Sequence, residues 1–153
     1  MSVPLRLIVR QSGGTPAPQA TVVTVTLPSD VSAIEEAVAL VERHCMSGGP
    51  VNPRLRFRLQ VALAEALANA VVYGNGERPE LRVHVAAELT PDLIRITVTD
   101  EGPGFDVHAV PDPCAPDRLE ATCGRGIYLI RNLVDHLSYN DRGNSLCMTL
   151  RRR

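Results

Sequence analysis

The 153-residue chain contains no lysine; every basic residue other than its four histidines is arginine. That absence excludes two nucleotide machines at once. A P-loop needs Gly-x-x-x-x-Gly-Lys-[Ser/Thr], and an ordinary protein kinase needs a strand lysine. Phosphate must be held here by backbone N–H groups, by arginine or by a metal. The four cysteines, Cys45, Cys114, Cys123 and Cys147, form no Cys-x-x-Cys pair, and no histidine stands at a zinc-like spacing from them. They read as reduced thiols. The N-terminal apolar run is too short for a signal peptide, and no stretch is long enough to span a bilayer, so a cytoplasmic location and no membrane contact are expected. Net charge is −1, which gives no global field for nucleic acid. The only basic run, Arg151-Arg152-Arg153, reads as a solvated terminus. There is no internal repeat.

What is present is the composition of an ordinary globular domain, 44% hydrophobic and 22% charged. One domain of this length buries a core without disulfides. Residues 4–10 alternate weakly and suggest a strand, followed by a Gly/Pro/Ser loop over 11–19. The β-branched run 20–27 predicts a second strand. Ser32-x-x-Glu35 forms a capping box, and Val31, Ile34, Val38, Val41 and Cys45 fall on one helical stripe that Gly48-Gly49 ends.

The next helix is the clearest. Asn52 caps it, Pro53 suits its first turn, and it runs to about Tyr73, where Gly74-Asn75-Gly76 stops it. Strands at about 80–89 and 93–100 pair through a turn at Thr90-Pro91-Asp92. Residues 105–123 hold three prolines and no clean period, which marks a long loop. A helix from near Gly126 to about His136 and a hairpin, 137–141 with 145–151, complete the chain. The order β, β, α, α, β, β, loop, α, β, β lacks strict β-α-β alternation. It predicts an α/β two-layer sandwich, with helices on one face of a mostly antiparallel mixed sheet.

Three stretches carry chemistry. In Glu65-Ala-Leu-Ala-Asn69 a carboxylate and an amide stand one turn apart on a face with Ala62, Ala66 and Tyr73; Leu59, Leu63, Leu67 and Val71 mark another face. A Glu-x-x-x-Asn pair arises by chance in roughly a third of such chains, so alone it says little. Within an Ala-rich helix, however, an unpaired buried polar group costs about 1–3 kcal/mol. Glu65 suits proton abstraction from a hydroxyl or water, and Asn69 suits Mg²⁺ through its carbonyl oxygen. Asp100-x-Gly102-x-Gly104 ends a strand. Its carboxylate suits an exocyclic amine such as adenine's, and its glycines let backbone approach a ring. Gly124-Arg125-Gly126 opens an apolar helix whose free N–H groups suit phosphate.

These stretches, with "VALAEALANAVVYGN", "VTDEGPGFD" and "GRGIYLIRNLVD" around them, resemble the GHKL (Bergerat) ATP-binding fold shared by gyrase, histidine kinases and MutL. The resemblance covers about 20–150. It is strongest to the small anti-sigma-factor serine/threonine kinases of bacterial partner-switching systems. It implies an N-terminal extension at 1–19 and an ATP-binding kinase domain over 20–153, with a lid at about 105–123. Glu65 would be the general base and Asn69 the Mg²⁺ ligand. Asp100 would read the adenine amine beside Gly102 and Gly104, and Gly124, Arg125 and Gly126 would meet the phosphates. Ser145, after Gly143-Asn144, stands in the place of the branch's usual threonine. Tyr73 stands where the branch often has histidine.

The implied activity is ATP-dependent phosphorylation of a STAS-type anti-anti-sigma protein by a homodimer, with ATP/ADP and Mg²⁺ as ligands and a sigma factor as a further partner. The alternative is a non-catalytic, nucleotide-gated binding module that sequesters a sigma factor or other regulator. A histidine-kinase catalytic domain would need a phosphoacceptor histidine on a preceding helical hairpin, and residues 1–50 hold only His44. Gyrase- or MutL-like ATPases usually recruit a lysine from another domain.

Overall fold

The computed structural model describes residues 5–12, 20–47, 49–104 and 122–152. Six strands form one sheet: β1 (Arg6–Ser12), β2 (Ala20–Pro28), β3 (Arg82–Leu89), β4 (Leu93–Asp100), β5 (His136–Tyr139) and β6 (Ser145–Arg151). Their spatial order is β1-β2-β3-β4-β6-β5. Every pairing among the described residues is antiparallel, in keeping with the mostly antiparallel sheet expected. Three helices, α1 (Ile34–Cys45), α2 (Pro53–Ala68) and α3 (Thr122–Leu133), supply the second layer. None of the described helices is long and apolar enough to cross a membrane.

Strand alternation decides which face the helices cover. Val23, Val25 and Leu27 of β2, Val85 of β3, Ile94 and Ile96 of β4, and Met148 and Leu150 of β6 are all fully buried. Leu59, Leu63 and Leu67 of α2 and Val41 of α1 bury against them. The residues between, such as Thr24, Thr97 and Thr149, face the other side of the sheet. This is the expected sandwich, a one-sided antiparallel sheet with polar residues on its open face.

The helix ends show local chemistry at work. Asn52 caps α2 as expected, its Oδ1 accepting from the N–H groups of Arg54 and Leu55 at 3.1 and 3.3 Å, and Pro53 occupies the first turn. The capping box at Ser32 does not form. Asp30, in extended backbone after β2, accepts from the Ser32 N–H at 2.9 Å and caps a short 3-10 turn, Val31–Ala33, that leads into α1. The helical path thus starts two residues earlier, and Ser32 lies inside the first turn instead of at its N-cap.

Two further boundaries differ from expectation. Helix α3 begins at Thr122 rather than Gly126 and ends at Leu133 rather than His136, because Asp135 already pairs with Thr149 of β6. The strand expected at the N-terminus is β1, an edge strand in register with β2 from Arg6↔Thr26 to Ser12↔Ala20. The loop was expected over 11–19, but Gln11 and Ser12 extend β1 in pairing with β2; the rest of that loop, 13–19, and most of the expected lid, 105–121, lie outside the described residues.

Candidate functional site

The site is built where the end of α2, the end of β4 and the start of α3 converge. Glu65 and Asn69 are half-buried on the side of α2 that meets α3, next to the buried Ala62 and Ala66. Small side chains there let α3 come close. A Cβ placed on Gly126 would lie 2.9 Å from Glu65 Oε2 and 3.2 Å from Asn69 Nδ2. Gly126 therefore leaves open the space in front of both polar groups. Neither Glu65 nor Asn69 makes a side-chain hydrogen bond among the described residues.

Beyond Ala68 the helix widens. Asn69–Gly74 forms a π turn, with the Asn75 N–H donating to the Ala70 carbonyl at 2.8 Å. Such turns recur at functional sites because they displace the residues that follow. Here the displacement sets Gly74 against β4. A Cβ on Gly74 would collide with the Asp100 carboxylate, and one on Gly102 would collide with the Gly74 carbonyl oxygen. Only two glycines allow that approach. Gly104 adopts φ +74°, the left-handed region, with its α-carbon close to the Arg142 carbonyl. Tyr73, on the same turn, is 56% exposed.

Asp100 is 9% exposed. Burial pushes its carboxyl above the ordinary aspartate value of 3.8, while the Gly102 N–H and the Arg142 guanidinium pull the other way. Its Oδ1 accepts from the Gly102 N–H at 2.9 Å. Its own backbone is fixed by Asn144: the Asp100 N–H donates to the Asn144 carbonyl at 2.9 Å, and Asn144 Nδ2 donates to the Asp100 carbonyl at 3.1 Å. A buried carboxylate with backbone held on both sides is a rigid acceptor for a ligand N–H donor.

Not every expected residue joins this group. Leu146, Met148 and Leu150 face the helices, so Ser145 faces the open side of the sheet. Its hydroxyl pairs with that of Thr99 at 2.8 Å, away from the Asp100 carboxylate. Asn144 is the residue of that turn that reaches Asp100. Gly124 lies in the first turn of α3, where a backbone N–H has no partner within the helix, but with the helix beginning at Thr122 rather than Gly126 the N–H groups of Arg125 and Gly126 are already taken up by the helix itself. The Arg125 side chain lies outside the described residues.

Three contributors were not singled out from sequence: Gly74, Asn75 and Asn144. Gly74 and Asn75 read as a helix stop, which masks their contacts with β4. For Asn144 a signal existed, since it shares the parity of Leu146, Met148 and Leu150 and must face Asp100.

Among the described residues no group of three or more His, Cys, Asp or Glu is arranged to hold a metal ion. The donor set instead fits Mg²⁺ as nucleotide sites use it, with one or two protein oxygens and the rest from phosphate and water. The Asn69 carboxamide, without a side-chain hydrogen bond among the described residues and beside Gly126, has an oxygen of that kind to offer.

Comparisons with known proteins place the chain in a family. The model of the histidine kinase-like ATPase domain matches residues 27–150. The chain is similar to the anti-sigma F factor of Oceanobacillus iheyensis, at 29% identity over 96 residues, 60% of this chain and 66% of that protein. It is similar to the anti-sigma F factor of Heyndrickxia coagulans, at 30% over 89 residues, 56% of this chain and 60% of that protein. It also resembles the serine-protein kinase RsbW of Staphylococcus aureus, at 26% over 98 residues, 59% of this chain and 62% of that protein. The matched region thus spans 60% to 66% of these relatives' own lengths.

Proposed function

This chain belongs to the histidine kinase-like ATPase domain family, and from that premise we propose that it is an ATP-dependent serine/threonine protein kinase of a partner-switching module. Its substrate is a hydroxyl on a small STAS-type anti-anti-sigma protein, and a sigma factor is its second partner. The chain acts as a homodimer in the cytoplasm. The observation that carries the reading is the convergence at Gly126: α3, close to its start, lies over the Glu65 carboxylate and the Asn69 carboxamide, neither of which makes a side-chain hydrogen bond among the described residues. The relatives' names, anti-sigma F factor and serine-protein kinase, support the same reading.

Each residue has a separate task. Asp100 accepts the adenine amine, and Gly74 and Gly102 let the backbone close around its carboxylate. Free backbone N–H groups at the start of α3, that of Gly124 among them, meet phosphate, the work that lysine does elsewhere. Asn69 would hold Mg²⁺, which when bound would supply charge neutralisation at the phosphates. Glu65 accepts the proton of the partner's hydroxyl as its oxygen bonds to the γ-phosphorus and the bond to the departing ADP oxygen breaks. Phosphoryl transfer demands mainly positioning and charge neutralisation, so this short set suffices.

The chemical form of the product tests the hydroxyl acceptor. After incubation with labelled ATP, a phosphoprotein stable to acid is expected, as a serine or threonine ester is. An acid-labile product would point to histidine and overturn the reading.

A further inference from the structure

We infer that Asn75 is a positioning residue for base recognition, linking the end of α2 to the turn that carries Asp100. The inference rests on the nucleotide-binding reading above and deepens it. Asn75 is 1% exposed and uses its whole carboxamide. Nδ2 donates to Ser29 Oγ at 2.8 Å and to the Arg82 carbonyl at 2.9 Å. Oδ1 accepts from the Glu101 N–H at 2.8 Å. Glu101 closes the ring, because its Oε1 accepts from the Arg82 N–H at 2.5 Å. Three residues from three segments thus form one cycle of hydrogen bonds.

The cycle lies beside the base-reading group on both strands of the contact. Gly74 abuts the Asp100 carboxylate, and the next residue, Asn75, holds the backbone of the residue after Asp100. The dipeptide Gly74-Asn75 therefore sets both where the carboxylate sits and how its backbone is turned. Through the π turn the same dipeptide is tied to Asn69, the start of that turn. Movement of Asn75 would change the spacing between the base-reading and phosphate-binding parts of the site. Ser29 provides the contrast. It is 3% exposed and bonds Asn75 and the Leu81 carbonyl, but among the described residues it makes no side-chain hydrogen bond to Glu101 or Asp100.

The test compares ATP with inosine 5′-triphosphate, which presents an oxygen where adenine has its amine. Dissociation constants for both are measured by calorimetry on the wild type, Asn75→Ala and Ser29→Ala, with thermal midpoints alongside. The wild type is expected to prefer ATP. Asn75→Ala is expected to shrink that preference by about tenfold, the value of one well-placed hydrogen bond to a charged group. Ser29→Ala is expected to lower the midpoint and leave the preference unchanged. Should Asn75→Ala fail to fold, Asn75→Ser carries the same comparison, since its shorter side chain stays polar but retracts from Glu101. Equal losses for both nucleotides in the Asn75 variants would show a purely structural role and overturn the inference alone. A wild type that binds both equally, or neither, would overturn the reading of Asp100 and this inference with it.

Discussion

Gly126 of α3 stands over Glu65 of α2: a Cβ on the glycine would lie 2.9 Å from Oε2 of the carboxylate. A helix-interior glycine ordinarily costs about 1 kcal/mol relative to alanine. The neighbour here is the far end of a flexible, half-buried side chain, so Gly126→Ala displaces the carboxylate at little cost to the fold. Stability and activity are therefore expected to separate. The thermal midpoint should hold or rise, while the phosphotransfer rate falls by roughly tenfold or more, because a displaced base loses its alignment. An unchanged rate at saturating ATP would show that Glu65 does not act where this geometry puts it.

The acidity of Asp100 gives a second expectation. Burial raises its carboxyl above 3.8, so the folded protein holds that proton more tightly than the unfolded chain does. Its contribution to stability is thus most favourable below pH 3.8 and is lost as the pH rises through the raised value. Asp100→Asn keeps an acceptor for the Gly102 N–H and removes the charge. The variant should gain thermal stability over the wild type at pH 7, with the gain shrinking towards pH 4. It should also bind ATP about 10- to 100-fold more weakly. Melting curves across that pH range and one nucleotide titration decide both parts. A variant less stable at every pH would contradict the assigned cause.

The two residues after Gly143 separate by strand parity. Asn144 Nδ2 holds the Asp100 carbonyl, whereas the Ser145 hydroxyl pairs with Thr99 on the open face. Asn144→Ala is expected to weaken ATP binding about tenfold through the loosened Asp100 backbone. Ser145→Ala should leave the affinity within about threefold, because no hydrogen bond to the site is lost. The reverse ranking would mean that Ser145 turns towards the nucleotide.

Much of this was legible from local pattern. The Asn52 cap, the leucine stripe of α2 and the alternation of β2, β3 and β4 follow from helix and strand periods that the core then enforces. So did the placement of Glu65, Asn69, Asp100 and Gly126, which the fold brings to one end of the sandwich. What was not legible depends on contacts between segments far apart in sequence. Gly74-Asn75 has the composition of a helix stop, and only its approach to Asp100 and Glu101 reveals a second role. Ser32 does not cap because the helical path starts earlier, in a short 3-10 turn that Asp30 caps and that contains Ser32. Assigning Ser145 by its place in a motif overlooked the two-residue period that turns it away.

The most direct measurement is the intact mass of a STAS-domain protein encoded nearby, after incubation with this chain and Mg-ATP, with wild type and Glu65→Gln run side by side. The account predicts a gain of one phosphate with the wild type and none with the variant, although both bind ATP. Transfer that survives Glu65→Gln, or a wild type that binds ATP and transfers nothing, would contradict it.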